Sequence, residues 1–281
     1  MRTAWVVSVL FSLLSPATHG SSQVSAGSIA QFVPQGWVLA PSSKENPDLW
    51  QCAGRGESWV VSKPNGEISL TKLVPQPWKP LPLPPQITLT KEMIGKRSLL
   101  ETERGWLVGF SAGEFGGGLW WFGRDGRNPT KLSDVNVHAI YRTQDGTFVL
   151  MGLAHLSMDD GEIDRFTEIG DKVSLDRVAD LGGSPDESMV EADGEILVAS
   201  WHHVVRIDHG GNVHELYKSG EELVYPTSVE EDKNGNVFVA MRFFVLLLVP
   251  EDNSYHPYWL MPKRCEAFKM VKYVCNCTAK K

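Results

Sequence analysis

The 281-residue chain lacks several features that would point to a common function. It contains no His-Glu-x-x-His pair and no Cys-x-x-Cys pair, so neither a zincin-type metal site nor a dithiol site is indicated. It has no basic block before the tail, and its net charge is −7. Since phosphate contacts dominate nucleic-acid affinity, this charge predicts that nucleic acid is not a partner.

Long apolar runs are also missing. Residues 4–14 form an apolar run of eleven residues after Arg2, too short for the ~20 residues that a spanning helix needs. A basic residue, a short apolar run and then small residues are typical of a secretory signal, so residues 1–20 are predicted to be one, with an N-terminal buried strand or helix as the alternative. The sequence therefore predicts a secreted or periplasmic protein with no membrane span.

Cysteine is scarce, with four residues in the whole chain. An even number in an exported protein favours disulfides over a metal site, and four cysteines allow three pairings. The candidates are Cys52, Cys265, Cys275 and Cys277. A bond from Cys52 to one of the other three would join the two ends of the fold, and such a cross-link is typically worth about 2–4 kcal/mol.

What the chain does contain is a repeat. Four stretches, residues 103–127, 144–166, 192–216 and 233–260, each open on a turn dipeptide ending in glycine and continue with two apolar runs. The leading glycines, Gly105, Gly146, Gly194 and Gly235, lie 41, 48 and 41 residues apart. This period and these hairpin turns predict an all-β fold, a β-propeller, because each repeat forms one small sheet that buries its faces against its neighbours.

The order of strands within a repeat follows from the turns. In the second repeat we place the second strand at residues 147–151, the third at 156–158, a turn at Asp160-Gly161 and the fourth strand at 163–169.

A divergent copy precedes these four. We place its strands at residues 37–40 and 48–52 and its hairpin at 59–63 and 67–73. The count is then five blades, or six if residues 268–274 of the tail contribute one. Residues 27–281 are predicted to form a single propeller domain.

Proline is concentrated in one segment. Residues 74–85 contain six prolines in twelve positions, which favours extended polyproline II structure and excludes a central strand. Although PxxP spacings occur in it, a stiff connection between two blades is the favoured interpretation over an adaptor ligand.

The fold predicts where a site would lie. In a four-stranded blade, the links between blades and the connections between second and third strands emerge at one end, and loops on a rigid scaffold commonly bind ligands. The residues predicted on this binding face are Arg97, His138, His155, Glu187, Trp201, His202, Thr227 and Arg242. Ser111, Glu114, Asp186 and His203 fall in the same loops, and each of these residues also has an ordinary structural explanation.

One repeat resembles a known family of blades. Residues 192–200 read Ala-Asp-Gly-Glu-Ile-Leu-Val-Ala-Ser, and residues 205–213 follow an apolar-Arg-apolar-Asp pattern. This is similar to NHL and SMP-30/gluconolactonase-like propellers. Lactonases of that kind hold a divalent metal with Glu, Asn and Asp, and of the positions that precede the first strands here only the acid at Asp186 or Glu187 matches.

Two functions of different classes remain open from the sequence. The first is an exported binding module whose loop face binds a protein, a peptide or a glycan. The second is a metal-assisted hydrolase or lyase in which His138, His155, His202 and Glu187 converge on one divalent ion. A cofactor is therefore expected only in the second case.

Overall fold

The structure is a computed structural model that describes residues 29–127, 129–170, 172–219, 225–267, 269–271 and 274–277. The chain divides into two compact units, Met1–Val33 and Pro34–Lys281. The described part of the first unit contains a single 3₁₀ turn, Ala30–Phe32. Every strand among the described residues lies in the second unit, and the predicted signal, residues 1–20, lies outside the described residues.

Two short strands, a helix and a further strand precede the main sheets. They are β1 (Trp37–Leu39), the helix α1 (Pro47–Trp50), β2 (Trp59–Ser62) and β3 (Ser69–Lys72). Strands β2 and β3 form an antiparallel pair. This hairpin confirms the predicted second half of the divergent copy.

The first half of that copy was predicted wrongly. Residues 48–52 were expected to form a strand, but they overlap helix α1. The Asn46 side chain accepts a hydrogen bond from the backbone N–H of Leu49, and Pro47 occupies the first helical position. A capping Asn followed by Pro is a helix-start signal, and it decides the local structure here.

Four antiparallel meanders of four strands follow. Sheet I contains β4 (Lys96–Glu101), β5 (Gly105–Ser111), β6 (Gly117–Gly123) and β7 (Thr130–Ser133). Sheet II contains β8 (Val137–Thr143), β9 (Gly146–His155), β10 (Met158–Ile169) and β11 (Lys172–Asp180). Sheet III contains β12 (Glu187–Val190), β13 (Ile196–Ala199), β14 (His203–Ile207) and β15 (Val213–Lys218). Sheet IV contains β16 (Ser228–Glu231), β17 (Val237–Ala240), β18 (Val245–Glu251) and β19 (Ser254–Pro262).

The connection between first and second strands falls at the predicted glycine turns. In sheet III the backbone of Gly194 has φ +103°, and in sheet IV that of Gly235 has φ +79°. These values lie in the left-handed region that glycine enters without a steric penalty. The repeat signal in the sequence therefore marks real turns.

Sheet II departs from the prediction. Strand β10 is continuous from Met158 to Ile169, so Asp160-Gly161 is not a turn, and β11 is an additional strand. A Cβ on Gly161 would lie 1.9 Å from the carbonyl oxygen of Gly183, which shows that this glycine permits a close backbone approach within a strand. The correction places Asp159 at the end of sheet II that carries the predicted binding face.

The sheets pack through both of their faces. In β9, Val149 and Met151 belong to the core cluster shared with sheet I, whereas Phe148 and Leu150 belong to the cluster shared with sheet III. Alternate residues of a strand point to opposite faces, so sheet II is buried between sheets I and III. The first strands β4, β8, β12 and β16 also lie side by side in that order. This is the arrangement of successive blades in a β-propeller.

An early and a late segment of the second unit meet at sheet IV. Strand β1 pairs antiparallel with β19, so residues 37–40 extend the last sheet and are not the first strand of the divergent copy. The β2–β3 hairpin lies against β16 and β17, and the N–H of Trp59 donates to the carbonyl of Met241. Strands β20 (Lys269–Val271) and β21 (Val274–Asn276) form a separate pair in the tail. The described residues therefore form four sheets of at least four strands each and two separate hairpins.

The disulfides were predicted in part. Cys265 and Cys277 are bonded to each other. Cys52 is also disulfide-bonded. The side chain of Cys275 lies outside the described part of the structure, so a bond that joins the first and last segments stays a prediction.

The proline-rich segment links β3 to β4. Residues 74–85 contain neither helix nor strand, and the Trp78 side chain is exposed. Leu83 packs against the apolar cluster of sheet I together with Ile87 and Leu89. No helix among the described residues is long and apolar enough to cross a membrane.

Candidate functional site

Two kinds of loop lie at the same end of the sheets: the links between successive sheets and the connections from second to third strands. We call this end the mouth face. Arg97 and His138 lie at the starts of β4 and β8, Glu187 starts β12, and Thr227 precedes β16. The others lie at or after the ends of second strands: His155, Trp201, His202 and Arg242. All eight predicted residues are therefore at this end, but they do not form one site.

His138 lies in the most enclosed part of the mouth face. Its Nε2 atom is 3.2 Å from the carbonyl oxygen of Gly152 and 3.3 Å from Oγ of Ser184. Burial lowers the pKa of His138, and the positive charge of Lys96 acts in the same direction. The imidazole is accordingly neutral at pH 7.

Ser184 connects Asp159 to His138, because it contacts both side chains. Its Oδ1 atom accepts a hydrogen bond of 2.7 Å from the Ser184 N–H. Its Oδ2 atom is buried and has no hydrogen-bond partner among the described residues. A Cβ on Gly183 would lie 3.0 Å from this oxygen, so the backbone of the link between sheets II and III passes close to it.

Two further carboxyl groups complete this arrangement. Burial, with the nearby charges of Asp159 and Glu187, raises the pKa of Asp186 to about 7. Burial raises the pKa of Glu187 to about 7 as well, against the opposing effect of Lys96. Oδ2 of Asp186 is also buried without a hydrogen-bond partner in the described part of the chain. We call His138, Asp159, Ser184, Asp186 and Glu187 the mouth cluster.

Three of the predicted residues have structural contacts instead. Arg97 donates to the carbonyl of Leu81 at 3.2 Å. Thr227 Oγ1 donates to the carbonyl of Ala240 at 3.0 Å. His155 Nε2 lies 2.9 Å from a carboxylate oxygen of Glu114, which ties the loop of sheet I to the end of β9.

Trp201 and Arg242 meet around an additional residue, Tyr225. The rings of Trp201 and Tyr225 are 6.0 Å apart edge to face, and the Arg242 guanidinium lies 4.3 Å over the Tyr225 ring. His202 contributes its backbone carbonyl to the N–H of Ser219. His203, its neighbour, places Nδ1 3.0 Å from Glu215.

The four-residue metal set predicted from the sequence is not assembled. His155 is paired with Glu114, and the described contacts of His202 involve its backbone. Within the described residues, one group of three offers ligand atoms that all lie within 4.8 Å of one another: Glu191, Asp193 and Glu195. That group lies at the opposite end of sheet III, beyond the ends of β12 and β13.

Sequence reasoning missed the role of Asp159 and Ser184. Asp159 was assigned to a turn at the other end of the sheet because Asp160-Gly161 resembles one. Strand β11 was not predicted from the sequence. It carries alternating apolar residues at Val173, Leu175 and Ala179, and this alternation is the signal that predicts a fourth strand after β10.

A Gly-x-Ser-x-Gly spacing was also overlooked, at residues 109–113. In a nucleophile elbow the serine sits on a turn between a strand and a helix. Here Ser111 is the last residue of β5, paired with Lys96 and Gly117, and a 3₁₀ turn follows it. The spacing therefore does not create an elbow.

A second buried charge network lies at the opposite end of sheets III and IV. Arg206 donates from Nε and Nη2 to the carboxylate of Glu191, at 2.7 Å each, and from Nη1 to the Tyr255 hydroxyl at 3.0 Å. It also donates to Glu231, whose pKa is raised to about 8 by burial and by the adjacent carboxyl of Glu191. We call these four residues the Arg206 network.

Comparison with known proteins gives distant structural similarity. No family model and no curated protein matches the chain, but 35 chains among solved structures do. A gluconolactonase from Xanthomonas campestris is 11% identical over 72% of this chain and 67% of its own, with a TM-score of 0.38. The extracellular domain of a protein assigned as a hybrid two-component system from B. thetaiotaomicron is 10% identical, with a TM-score of 0.41, and the match spans 71% of this chain and 26% of that one.

A third match is a protein assigned as a glucose dehydrogenase-type oxidoreductase from Thermus thermophilus, 12% identical over 57% of this chain and 81% of its own, with a TM-score of 0.30. These matches include gluconolactonases, in agreement with the blade resemblance in the sequence. At this level of similarity they say nothing about the activity or the site residues of this chain.

Proposed function

We propose that this chain is an exported β-propeller that binds a ligand carrying a protonated amine or guanidinium at the mouth cluster, with the β2–β3 hairpin as an incomplete fifth blade. The observation that carries the proposal is the pair of buried, unpartnered oxygens, Oδ2 of Asp159 and Oδ2 of Asp186. Buried polar groups are nearly always hydrogen-bonded, and unpaired ones concentrate at functional sites.

Electrostatics supports a cationic ligand. The negative charges of Asp159 and Glu187 both disfavour ionisation of Asp186, and Lys96, which is exposed, is the cation that acts on Glu187. A cation placed beside Asp186 would offset this repulsion, and it could donate to the unpaired oxygens of Asp159 and Asp186. Charge-assisted hydrogen bonds of this kind are about twice as strong as neutral ones.

An organic cation suits the geometry better than a metal ion. A divalent ion needs several oxygens within about 2–2.6 Å of one point. The mouth carboxylates do not form a group of three with ligand atoms within 4.8 Å, whereas the group at Glu191 does. An ammonium or guanidinium group presents several donors in different directions and can reach oxygens that are farther apart.

Calorimetric titration with a short lysine-containing peptide amide tests the proposal. We expect saturable binding at pH 8, and Asp186→Asn or Glu187→Gln should weaken it about tenfold or more, since charged hydrogen-bond partners are worth roughly 1.5–3 kcal/mol. Asp252→Asn is the matched control, because Asp252 is an exposed acid at the opposite end of sheet IV. Absence of binding by the wild-type protein would overturn the proposal.

The pH dependence supplies a second readout. Because the pKa values of Asp186 and Glu187 are about 7, both groups gain negative charge as the pH rises from 5 to 8. Affinity for the lysine peptide should therefore rise across this range and level off above pH 8. An affinity that is constant from pH 5 to 8 would contradict a role for these two groups.

The alternative function, a metal-assisted hydrolase or lyase, keeps a direct test. Elemental analysis of the mature protein, prepared without chelator, should find no divalent metal at a stoichiometric level. Near one metal per chain, lost in His138→Ala without loss of folding, would favour the hydrolase and make a panel of lactones the next substrates to assay.

Export is the remaining part of the proposal. Its support is the apolar run after Arg2 and the Cys265–Cys277 disulfide, which forms in oxidising compartments. N-terminal sequencing of the protein from its native host should give a start after Gly20 or Ala26. A mature protein that begins at Met1 would contradict export by a cleaved signal.

A further inference from the structure

The mouth face carries three of the most exposed apolar side chains in the described structure. The exposed fraction is 77% for Phe115, 84% for Leu156 and 50% for Met158. All three lie in or beside the connections between second and third strands, in sheets I and II. A group of exposed apolar residues in neighbouring loops is typical of an interaction surface. We call these three residues the apolar rim.

A contact between the Glu114 carboxylate and the His155 imidazole joins the two loops of the rim. Glu114 Oε2 and His155 Nε2 are 2.9 Å apart. Phe115 follows Glu114 in the chain, and Leu156 follows His155. This contact therefore brings together the two loops that carry Phe115 and Leu156.

The backbone of Leu156 makes folding a poor explanation for this side chain. Leu156 has φ +54°, in the left-handed region, where a residue with a Cβ pays roughly 1–2 kcal/mol. Glycine or asparagine is the usual choice for such a turn. A leucine that is strained and almost fully exposed adds no packing to the core, so it contributes to something outside the fold.

Acidic groups lie on both sides of the rim. Asp159 belongs to the mouth cluster, on the face of β10 toward Ser184. Met158 and Asp160 are two residues apart in β10 and so share its other face. That face borders a groove of about 340 Å³ whose charged lining residues are Asp160, Glu162, Arg177 and Asp180. Three carboxylates thus oppose one guanidinium, which already contacts Glu162 at 3.1 Å and Asp180 at 3.5 Å.

We infer that the ligand of the mouth face is a protein or peptide segment in which leucine-like residues are interspersed with lysine or arginine. This inference rests on the proposed function and extends it. The basic residues contact the mouth cluster and the acidic groove, and the apolar residues cover the rim between them. A glycan that carries amines could satisfy the carboxylates, but its hydroxyl-rich surface is a poor match for Leu156 and Met158.

Two peptides separate this inference from the proposed function. The probes are the amidated peptides Lys-Leu-Lys-Leu-Lys and Lys-Ser-Lys-Ser-Lys, titrated by calorimetry at pH 8 against the mature protein. We expect the leucine peptide to bind about tenfold more tightly or better, because the apolar rim removes leucine side chains from water and has nothing comparable to remove in the serine peptide.

The matched variants remove the rim and leave the mouth cluster in place. Phe115→Ser combined with Leu156→Asn should reduce affinity for the leucine peptide to the level of the serine peptide and leave the latter unchanged. Asn is chosen because it tolerates the left-handed backbone at this position. Ile169→Ser is the control, since Ile169 is 76% exposed at the other end of β10 and should have no effect.

Each other outcome overturns a definite statement. Equal binding of the two peptides, unaffected by the rim variant, would overturn this inference and leave the proposed function intact. Binding of neither peptide would overturn both. An oligomer of glucosamine that binds more tightly than the leucine peptide would show that the ligand is a glycan and would also overturn the inference.

Discussion

The mouth cluster and the Arg206 network contain the same kinds of groups and differ in how their charges are balanced. In the Arg206 network, one guanidinium lies between the carboxyl groups of Glu191 and Glu231 and also donates to Tyr255. The mouth cluster holds three carboxyl groups and a histidine whose pKa is lowered by burial, and two of the carboxyl oxygens have no hydrogen-bond partner within the described residues. The first is a closed set of interactions and the second is an open one.

This difference separates structural from functional charge. Removing one partner from a closed buried network is costly, because a charge is left without compensation. In an open cluster the buried carboxyl groups already lack a compensating charge in the free protein. A ligand of the opposite charge supplies it. Burial and a raised carboxyl pKa are common to both, as Glu231 and Asp186 show, so these two properties alone do not identify a site. The absence of an internal cation is what distinguishes the candidate site from the structural network.

The largest effect should come from removing the internal cation of the closed network. Arg206→Met is expected to lower the free energy of unfolding at pH 7 by about 3–5 kcal/mol, because Glu191 and Glu231 lose their buried partner. Urea denaturation measures it, and Lys233→Met, an exposed cation at the same end, should change stability by less than about 0.5 kcal/mol. A loss below about 1 kcal/mol in Arg206→Met would mean that the network is not closed by this residue.

In the open cluster, removing a charged group is expected to raise the free energy of unfolding. In the folded protein the pKa of Asp186 is about 7, above that of an unfolded Asp, so ionisation costs folding free energy as the pH rises from about 4 to 7. Asp186→Asn should therefore stabilise the protein at pH 8 by roughly 4 kcal/mol, with little effect at pH 4. Asp252→Asn is the control. Destabilisation at both pH values would show that the Asp186 carboxylate has an internal partner.

A smaller effect tests a neutral member of the closed network. Tyr255→Phe removes a hydroxyl that accepts from Nη1 of Arg206, and should cost about 1 kcal/mol. The loss should be the same at pH 6 and pH 9, because no charge is removed. Tyr258→Phe, on the same strand, provides the comparison. A loss that depends strongly on pH would place the hydroxyl in a titrating pair.

The smallest effect concerns His138. Burial lowers its pKa, so the unfolded chain binds a proton more readily than the folded one, and stability falls as the pH drops below about 6.5. In His138→Gln this contribution to the acid-side decline should disappear, whatever the change in stability at pH 8. An identical decline from pH 8 to pH 5 in the two proteins would show that His138 does not carry this proton.

The sequence predicts the local parts of this structure and not the long-range ones. The four leading glycine turns, the strands that follow them and the β2–β3 hairpin depend on neighbouring residues, and they lie where the repeat places them. The pairing of β1 with β19 depends on contacts more than 200 residues apart, as the register of Trp37 with Pro262 shows. No local pattern encodes such a pairing.

The site was predictable to the same extent. His138 and Glu187 could be placed on the mouth face from their positions before first strands. The position of Asp159 could not be predicted in this way. Gly161 is a glycine because Gly183 approaches it closely, and this approach exists only when sheets II and III are packed together. A glycine after an aspartate signals a turn in isolation, and tertiary packing overrides that signal here.

The central claim is that the mouth cluster is an uncompensated acidic site for a cationic ligand. Its most direct test is a carboxyl NMR titration of Asp186 and Glu187, recorded with and without a saturating lysine peptide amide. The account predicts that both titrate near pH 7 in the free protein and that bound peptide lowers both values by a unit or more, since a nearby cation favours the ionised form. Titration near pH 4 in both samples, unchanged by the peptide, would contradict it.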